Sequence, residues 1–394
     1  MIVIGLMSGT SMDGIDVAAA DLHLDGELRT LSPLALDTVA FSPELRRALG
    51  AALPPAGTTA EAWCRLDNLV GQEFAAAATS LGIEPDLVVS HGQTMFHWVE
   101  DGHVAGTLQI GNPAWIAETA RAPVLSDLRS ADVAAGGQGA PLVGLFDVLL
   151  LGGTTRPHAA LNLGGIANLT VVAPGVPPVA FDAGPANALL DAAVERLSGG
   201  SERHDHHGRR AARGRVHEAL LAALLADPYY DRPPPKTTGR EHFHLAYLDA
   251  ALAGVAAAPG DDDLCATLTA HVAEVVAAAC RRHGVDQVIA SGGGTRNPTL
   301  LDVLADRLAP ATVRVIDDLG LPSDAKEAYA FATLGFLSVH GLPGTLPSLT
   351  GARHPTVLGT LTAGPRPLTA APALAAPARL LLLPGRPARR NPRT

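Results

Sequence analysis

The residues GLMSGTSMDGID, Gly5 to Asp16, lie almost at the start of the chain and decide how the rest is read. The run before them, MIVIGLM, is short, apolar and β-like. IDVAAADLHL after them partly alternates polar with apolar residues, which suits a strand with one face buried. An ordinary hairpin needs only a two-residue turn. Here glycines, small hydroxyl side chains and aspartates widen the turn, so the hairpin is built to hold something. The design returns at 159–172, AALNLGGIANLTVV: strand, glycine-rich polar turn, strand. A third strand meets glycines in VIASGGGTRNPTLLDVL, 288–304, where Asn297 suits a helix N-cap and Pro298 the first helical position. A hairpin repeated about halfway along predicts a molecule of two similar halves. Glycine turns let backbone N–H groups converge on an anion, and helix N-termini add a positive dipole end. Three such turns point to a nucleotide polyphosphate.

Around these turns, helical patterns at 61–81, 187–197, 216–226, 264–283 and 325–340 alternate with strand-like runs. The runs lie at 87–90, 159–163, 171–172 with 179–181, 288–290 and 313–316, and the alternation predicts a layered α/β fold. Two stretches, 198–215 and 227–240, read as loops. The last stretch, from about Gly351, is rich in proline and alanine with a basic end, and its final part is expected to be disordered.

The chain of 394 residues, 47% hydrophobic and 17% charged, can bury a sizeable core and by length suggests two domains. A net charge of -10 argues against nucleic-acid binding. Three cysteines, Cys64, Cys265 and Cys280, form no paired framework, which fits a reducing cytoplasm. MIVIGLM lacks the basic start of a signal peptide, and no apolar run approaches the roughly 20 residues of a membrane span. A soluble, cytoplasmic protein is expected. The other nucleotide signatures are absent: there is no G-x-x-x-x-G-K-[ST], and SGGGTRN has Asn297 where a dinucleotide fingerprint needs its last glycine.

Nine segments in order carry a resemblance: GLMSGTSMDGID, SHGQTMFH, GTLQIGNPAWIAE, DVAAGGQGAPLV, NLGGIANLT, FDAGPANALLDA, PPKTTGREHF, SGGGTRNP and SDAKEAYAFATLG. From about Ile2 to Leu358 the sequence resembles the anhydro-N-acetylmuramic acid kinases, of the sugar kinase, heat-shock 70 and actin superfamily. The resemblance implies an α/β, two-domain actin-like (ribonuclease H-like) fold with a deep interdomain cleft. The expected domains are 1–130, rejoined by about 353–364, and 131–352, with a partly disordered tail at 365–394. It implies a homodimer acting on a small anhydro-sugar, without nucleic acid or membrane. It also implies one ATP-dependent reaction: water opens the anhydro bridge of 1,6-anhydro-N-acetylmuramic acid, and the freed O6 takes the γ-phosphoryl group. The alternatives are a kinase for another 1,6-anhydro sugar, such as levoglucosan, and a non-catalytic ATP-binding actin-like protein.

Water is a poor nucleophile, so the reaction needs a carboxylate to take its proton. The resemblance makes Asp182, in FDAGPANALLDA, that base. The competing reading is that Asp182 or Asn187 caps the following helix. Ala183 and Ala186 stand where the family commonly has threonine and glycine, a departure beside the base. Glu327 matches a second active-site carboxylate, though a glutamate is favoured at a helix start by the dipole alone. The ATP phosphates are assigned to Gly9, Thr10, Ser11, Met12, Asp13, Gly14, Ile15 and Asp16, to Gly164, Gly165 and Asn168, and to Gly292, Gly293, Gly294 and Asn297. Phosphoryl transfer calls for Mg²⁺, with Asp13 or Asp16 as its carboxylate. For the sugar, Arg129 suits the lactyl carboxylate. His91, Gln93 and Asn187 are further candidates, with buried structural roles as the alternative. The histidine-rich RHDHHGRR, 203–210, reads as a structural turn through Asp205 and Gly208 rather than a metal site.

Overall fold

Strand β1 (Ile2–Ser8) is buried from Val3 onward, which is why its sequence is almost wholly apolar. It pairs antiparallel with β2 (Gly14–Asp25), and β2 pairs antiparallel with β3 (Leu28–Ala40). On its other side β1 takes β4 (Leu87–Glu100) in parallel. The outer half of β4 folds into a hairpin with β5 (His103–Ile110), and its inner half takes β6 (Val124–Ser126) in parallel. The computed structural model describes residues 1–9, 12–25, 28–54, 56–239, 241–368 and 376–385.

A second sheet repeats the plan. Strands β7 (His158–Leu163), β8 (Ile166–Val172) and β9 (Val179–Pro185) run antiparallel in sequence order. Then β10 (Gln287–Ser291) joins β7 in parallel and β11 (Thr312–Val315) joins β10 in parallel. The orders are β3-β2-β1-β4-β6 and β9-β8-β7-β10-β11. With the β5 arm of the β4 hairpin set aside, both follow the order third, second, first, fourth and fifth strand, with only the second antiparallel to the rest. This is the actin-like, ribonuclease H-like arrangement, present twice.

The chain accordingly divides into two compact units, Met1–Gly152 with Gly320–Thr394, and Gly153–Leu319. These limits differ from the expected 1–130 and 131–352. The first unit runs on through the helix Val143–Leu150 and is rejoined at Gly320, because the helix Lys326–Val339 packs under β1. Gly5 makes that approach possible: a Cβ there would collide with the carbonyl of Ala328. In the second unit the helix Asp261–Arg282 is apolar and long enough to cross a membrane by length and composition, but 83% of its apolar window is buried inside the protein. It is a core helix, with three aspartates in its first turn and two arginines in its last, the arrangement the helix dipole favours.

One stretch differs from expectation. The presumed loop 198–215 contains the helix Arg209–Arg213, held by Asp205, whose carboxylate accepts from the N–H groups of Arg210 and Ala211 at 2.9 and 3.0 Å. Toward the end of the chain, β12 (Thr360–Thr362) pairs with β6, and β13 (Arg379–Leu382) adds in parallel to β3.

Candidate active site

Each unit carries its own set of chemical groups. In the first, the turn from β1 to β2 is closed by Met12 N–H on Gly9 O at 3.2 Å, with Met12 at φ 50. Thr10 and Ser11 lie outside the described residues. Beneath this turn Gln93 is fully buried. Its Oε1 and Gly14 O both lie 2.8 Å from Ser8 Oγ, and its Nε2 donates to Gly9 O and Thr94 O at 3.2 Å. Gln93, assigned to the sugar from the sequence, is thus committed to shaping the first glycine turn. Gly14 and Ile15 open β2, and Gly14 is required there because a Cβ would come 2.8 Å from Val39 O.

Asp16 stands opposite Thr38 across β2 and β3 and accepts its hydroxyl at 2.8 Å. Burial raises its pKa, Thr38 opposes the rise, and the charges of Asp13 and Asp324 add to it. Glu327, in the first turn of Lys326–Val339, is also held above the ordinary carboxylate range. Burial is the main cause; Lys326 and Arg129 oppose it, and Asp16 and Asp147 reinforce it. Lys326 itself is paired with Asp147 at 2.7 Å in a buried ion pair.

Arg129 is positioned by a chain of contacts. Its Nε and Nη2 lie 3.0 and 2.8 Å from His91 Nε2, and its Nη1 donates to Gly139 O at 2.6 Å. Gly139 N–H is held in turn by Asp132 at 2.8 Å, and Asp132 also accepts from Thr350 at 2.7 Å. This accounts for the aspartate and glycines of DVAAGGQG. His91 is buried, its ring tilted against that of Phe331 with centroids 4.7 Å apart, and its Nδ1 lies 2.8 Å from Gly92 O. Burial, then the charge of Arg129, pull its pKa down to about 3, so the ring is neutral, with Nδ1–H donating and Nε2 accepting from the arginine. Burial brings Arg129 down to about 10, still a cation at neutral pH.

In the second unit Asp182 sits on β9, half-buried, directly across from Asn168 on β8. Asn168 Nδ2 donates to Asp182 Oδ1, and Thr238 N–H donates to Oδ2 at 2.9 Å. The backbone is fixed as well: Asp182 N–H donates to Lys236 O at 3.0 Å, and Tyr229 Oη donates to Asp182 O at 2.8 Å. Burial raises the Asp182 pKa; Thr238 and Asn168 oppose the rise, and the charge of Glu241 adds to it. A carboxylate clamped at both oxygens yet raised by burial is suited to accept a proton. Neither Asp182 nor Asn187 caps the helix Asn187–Leu197: the cap is Ala186, without a side-chain bond. Asn187 instead clips the β7–β8 turn, its Nδ2 donating to Leu163 O and Gly164 O at 3.0 and 2.8 Å. Ala183 and Ala186, on either side of Gly184 and Pro185, are buried in the core of this unit.

The remaining glycines divide by cause. Gly292, at φ 85, and Gly294 lie so close to Asn162 and Leu163 that a Cβ would collide, whereas Gly293 has open space and Gly164 only ordinary contacts. Gly164 and Gly293 are therefore not demanded by packing; Gly164 O accepts from Asn187 N–H at 3.0 Å, and Gly165 O accepts from Ala186 and Ala188 at the helix start. Asn297 is buried and caps Pro298–Leu308 through Leu300 N–H at 3.0 Å. Its side-chain oxygen is thereby committed to the helix. Sequence reasoning missed Thr38, Asp132 and Tyr229, and for 236–240 it left open a segment ordered over the site or a solvated loop; the strap from Lys236 to Thr238 holds Asp182. The segment PPKTTGREHF was the one visible signal for the strap.

A family profile for anhydro-N-acetylmuramic acid kinases matches residues 1–364. The chain belongs to this family. The anhydro-N-acetylmuramic acid kinase of Streptomyces coelicolor is 55% identical over 392 residues, covering 98% of this chain and all (100%) of that relative. Those of Streptomyces avermitilis and Rhodococcus erythropolis are 58% and 53% identical, over 92% and 93% of this chain and 95% and 96% of theirs. Among solved structures, the (R)-2-hydroxyglutaryl-CoA dehydratase component A of Acidaminococcus fermentans aligns at a TM-score of 0.42 with 12% identity, over 84% of this chain and 96% of that one. That likeness is too slight to bear on function.

Proposed function

We propose that this chain is an ATP-dependent kinase that opens the anhydro bridge of 1,6-anhydro-N-acetylmuramic acid with water and phosphorylates O6. The products are N-acetylmuramic acid 6-phosphate and ADP, a step of peptidoglycan recycling. The observation that carries the reading is the clamped carboxylate of Asp182 in a chain of this family. Asp182 takes the proton of the water that attacks the anomeric carbon. The departing oxygen needs no proton, because phosphorus receives it. The turn 9–16 and the backbone at Gly164 and Gly293 serve the phosphates, and Glu327 is the second carboxylate at the reacting groups. The guanidinium of Arg129, with N–H groups beyond those given to His91 and Gly139, suits a lactyl carboxylate. That surplus favours the muramic sugar over levoglucosan.

Asp13 and Asp16 fit a divalent cation. Burial and the charges of Asp13 and Asp324 raise the Asp16 carboxyl, a repulsion that a cation relieves. Among the described residues no group of three or more His, Cys, Asp or Glu could hold a metal ion, and Mg²⁺ bound mainly through nucleotide phosphates needs only one or two carboxylates. When bound, the ion neutralises charge on the phosphates. A cytoplasmic homodimer completes the reading, and sedimentation of the purified protein tests the dimer. The deciding experiment is turnover in isotopically labelled water. Label is expected at the anomeric hydroxyl and absent from phosphate, and Asp182→Asn should abolish the reaction. Label in the phosphate, or full activity in Asp182→Asn, rejects the mechanism.

A further inference from the structure

Behind the base lies a second cavity. Phe181 and Ala183, the neighbours of Asp182 on β9, line a space of about 240 Å³ together with the end of the helix Asp261–Arg282 and the segment that follows Tyr230. Four cations reach it, Arg232, Lys236, Arg281 and Arg282, against the two acids Asp231 and Glu274. The excess is positive in a chain whose net charge is -10. It outweighs the negative end of the helix dipole, which is equivalent to about half a charge.

The cations are held but not saturated. Lys236 is buried; its Nζ donates to Tyr229 O and Tyr230 O at 3.1 and 3.3 Å and lies 4.5 Å from the Tyr229 ring. Both bonds are to neutral carbonyls. Burial, then the charge of Arg282, hold its pKa below the ordinary lysine range. Arg282 donates to Tyr230 O and, at 3.2 Å, to Asp231, which is 87% exposed and so gives a weak, solvated pair. Arg232 lies 5.9 Å from the Tyr229 ring and pairs with no carboxylate among the described residues. Phe181, Ala183 and Val275 supply an apolar wall.

We propose that this cavity binds a phosphate monoester, its phosphate taken by Arg232, Lys236 and Arg282 and its organic part laid on the apolar wall, and that its occupancy adjusts Asp182. The route is short. Lys236 offers its side chain to the cavity and its carbonyl to Asp182 N–H, and Thr238, two residues on, holds Asp182 Oδ2. A phosphate that draws Lys236 toward it moves the strap that sets the base. The coupling rests on Asp182 being the base; the binding does not.

Calorimetric titration of the full chain tests binding, with glucose 6-phosphate and inorganic phosphate as separate probes. Glucose 6-phosphate is expected to bind saturably and unaffected by ATP. Arg282→Gln and the exposed-site Arg232→Gln should each weaken it about tenfold, the effect of one charge-assisted hydrogen bond, with unchanged thermal melting. In kinase assays glucose 6-phosphate should move the acid limb of kcat/KM for the parent and not for Arg282→Gln. No saturable binding, binding by both variants as tight as the parent's, or competition with ATP overturns the site. Equal affinity for inorganic phosphate overturns the organic part, and an unmoved limb overturns the coupling. Should the chain lack kinase activity altogether, the titration still decides the site.

Discussion

Replacing Asn168 with alanine separates two roles for that residue, phosphate ligand and holder of the base. Its amide donates to Asp182 Oδ1 from the directly opposite position on β8. A hydrogen bond to a charged acceptor contributes about 1.5–3 kcal/mol when sheltered. Asn168 is exposed and Asp182 half-buried, so water replaces part of the bond and about 1.4 kcal/mol remains, a factor of about ten in rate. The sign of the pH effect follows from the causes of the shift. Burial raises the Asp182 pKa while Thr238 and Asn168 hold it down. A base at Asp182, as proposed, works as the carboxylate, so activity is expected to be lost as pH falls through its pKa. Without Asn168 burial is less opposed, the pKa rises further, and the acid limb of kcat/KM moves to higher pH. The assay is coupled ADP release across pH at saturating and limiting ATP. We expect kcat/KM for the sugar to fall about tenfold near the limb, with the limb displaced upward and KM for ATP unchanged. A raised KM for ATP with an unmoved limb would make Asn168 a phosphate ligand and refute the clamp.

Other substitutions probe the remaining assignments. Arg129→Ala should raise KM for the muramic sugar about 10- to 100-fold, for one or two lost charge-assisted bonds, with kcat less affected; an unchanged KM removes Arg129 from the sugar site. Glu327→Gln should lower kcat at least about tenfold while leaving both KM values near the parent, and a kcat within about twofold denies it a role in the chemistry. Asp205→Ala strips two backbone N–H groups of their acceptor, so calorimetry should show a loss of about 2–4 kcal/mol with kcat per folded molecule intact. Gly5→Ala places a Cβ against Ala328 O in fixed backbone; little folded protein is expected, and a melting temperature equal to the parent would contradict the packing of that helix under β1.

The repeated hairpin was legible because a glycine turn between two apolar runs leaves a local mark, and the helices at 187–197 and 298–308 were legible through periodicity and, for the second, its Asn–Pro cap. The contacts that make a site of these residues left no local mark. Thr238 reaches Asp182 from 56 residues away, and Thr350 reaches Asp132 from 218. The same distance in sequence explains the domain limits: nothing near Gly5 announces that a helix beginning at Lys326 lies against it. Gln93 and Asn187 carry side chains that bind ligands or backbone equally well, and only the fold decides between them.

The two units use one scaffold to opposite ends. In each, the strand after the glycine turn carries a polar side chain that bonds across to the third strand: Asp16 to Thr38 in the first, Asn168 to Asp182 in the second. The carboxylate stands on the second strand in one unit and on the third in the other. The second case depends on register. Ala167 pairs with Gly184, yet Asn168 pairs with Asp182, so Ala183 is the extra residue of a β-bulge. Bulges re-aim side chains beside active sites, and without this one Asn168 would face Ala183, leaving Asp182 without its partner. The buried Ala183 is therefore the residue on which the aim of Asp182 depends. Introducing a hydroxyl by Ala183→Thr should disturb the acid limb of the pH profile through the bulge, even though position 183 is buried in the core and not across from Asn168.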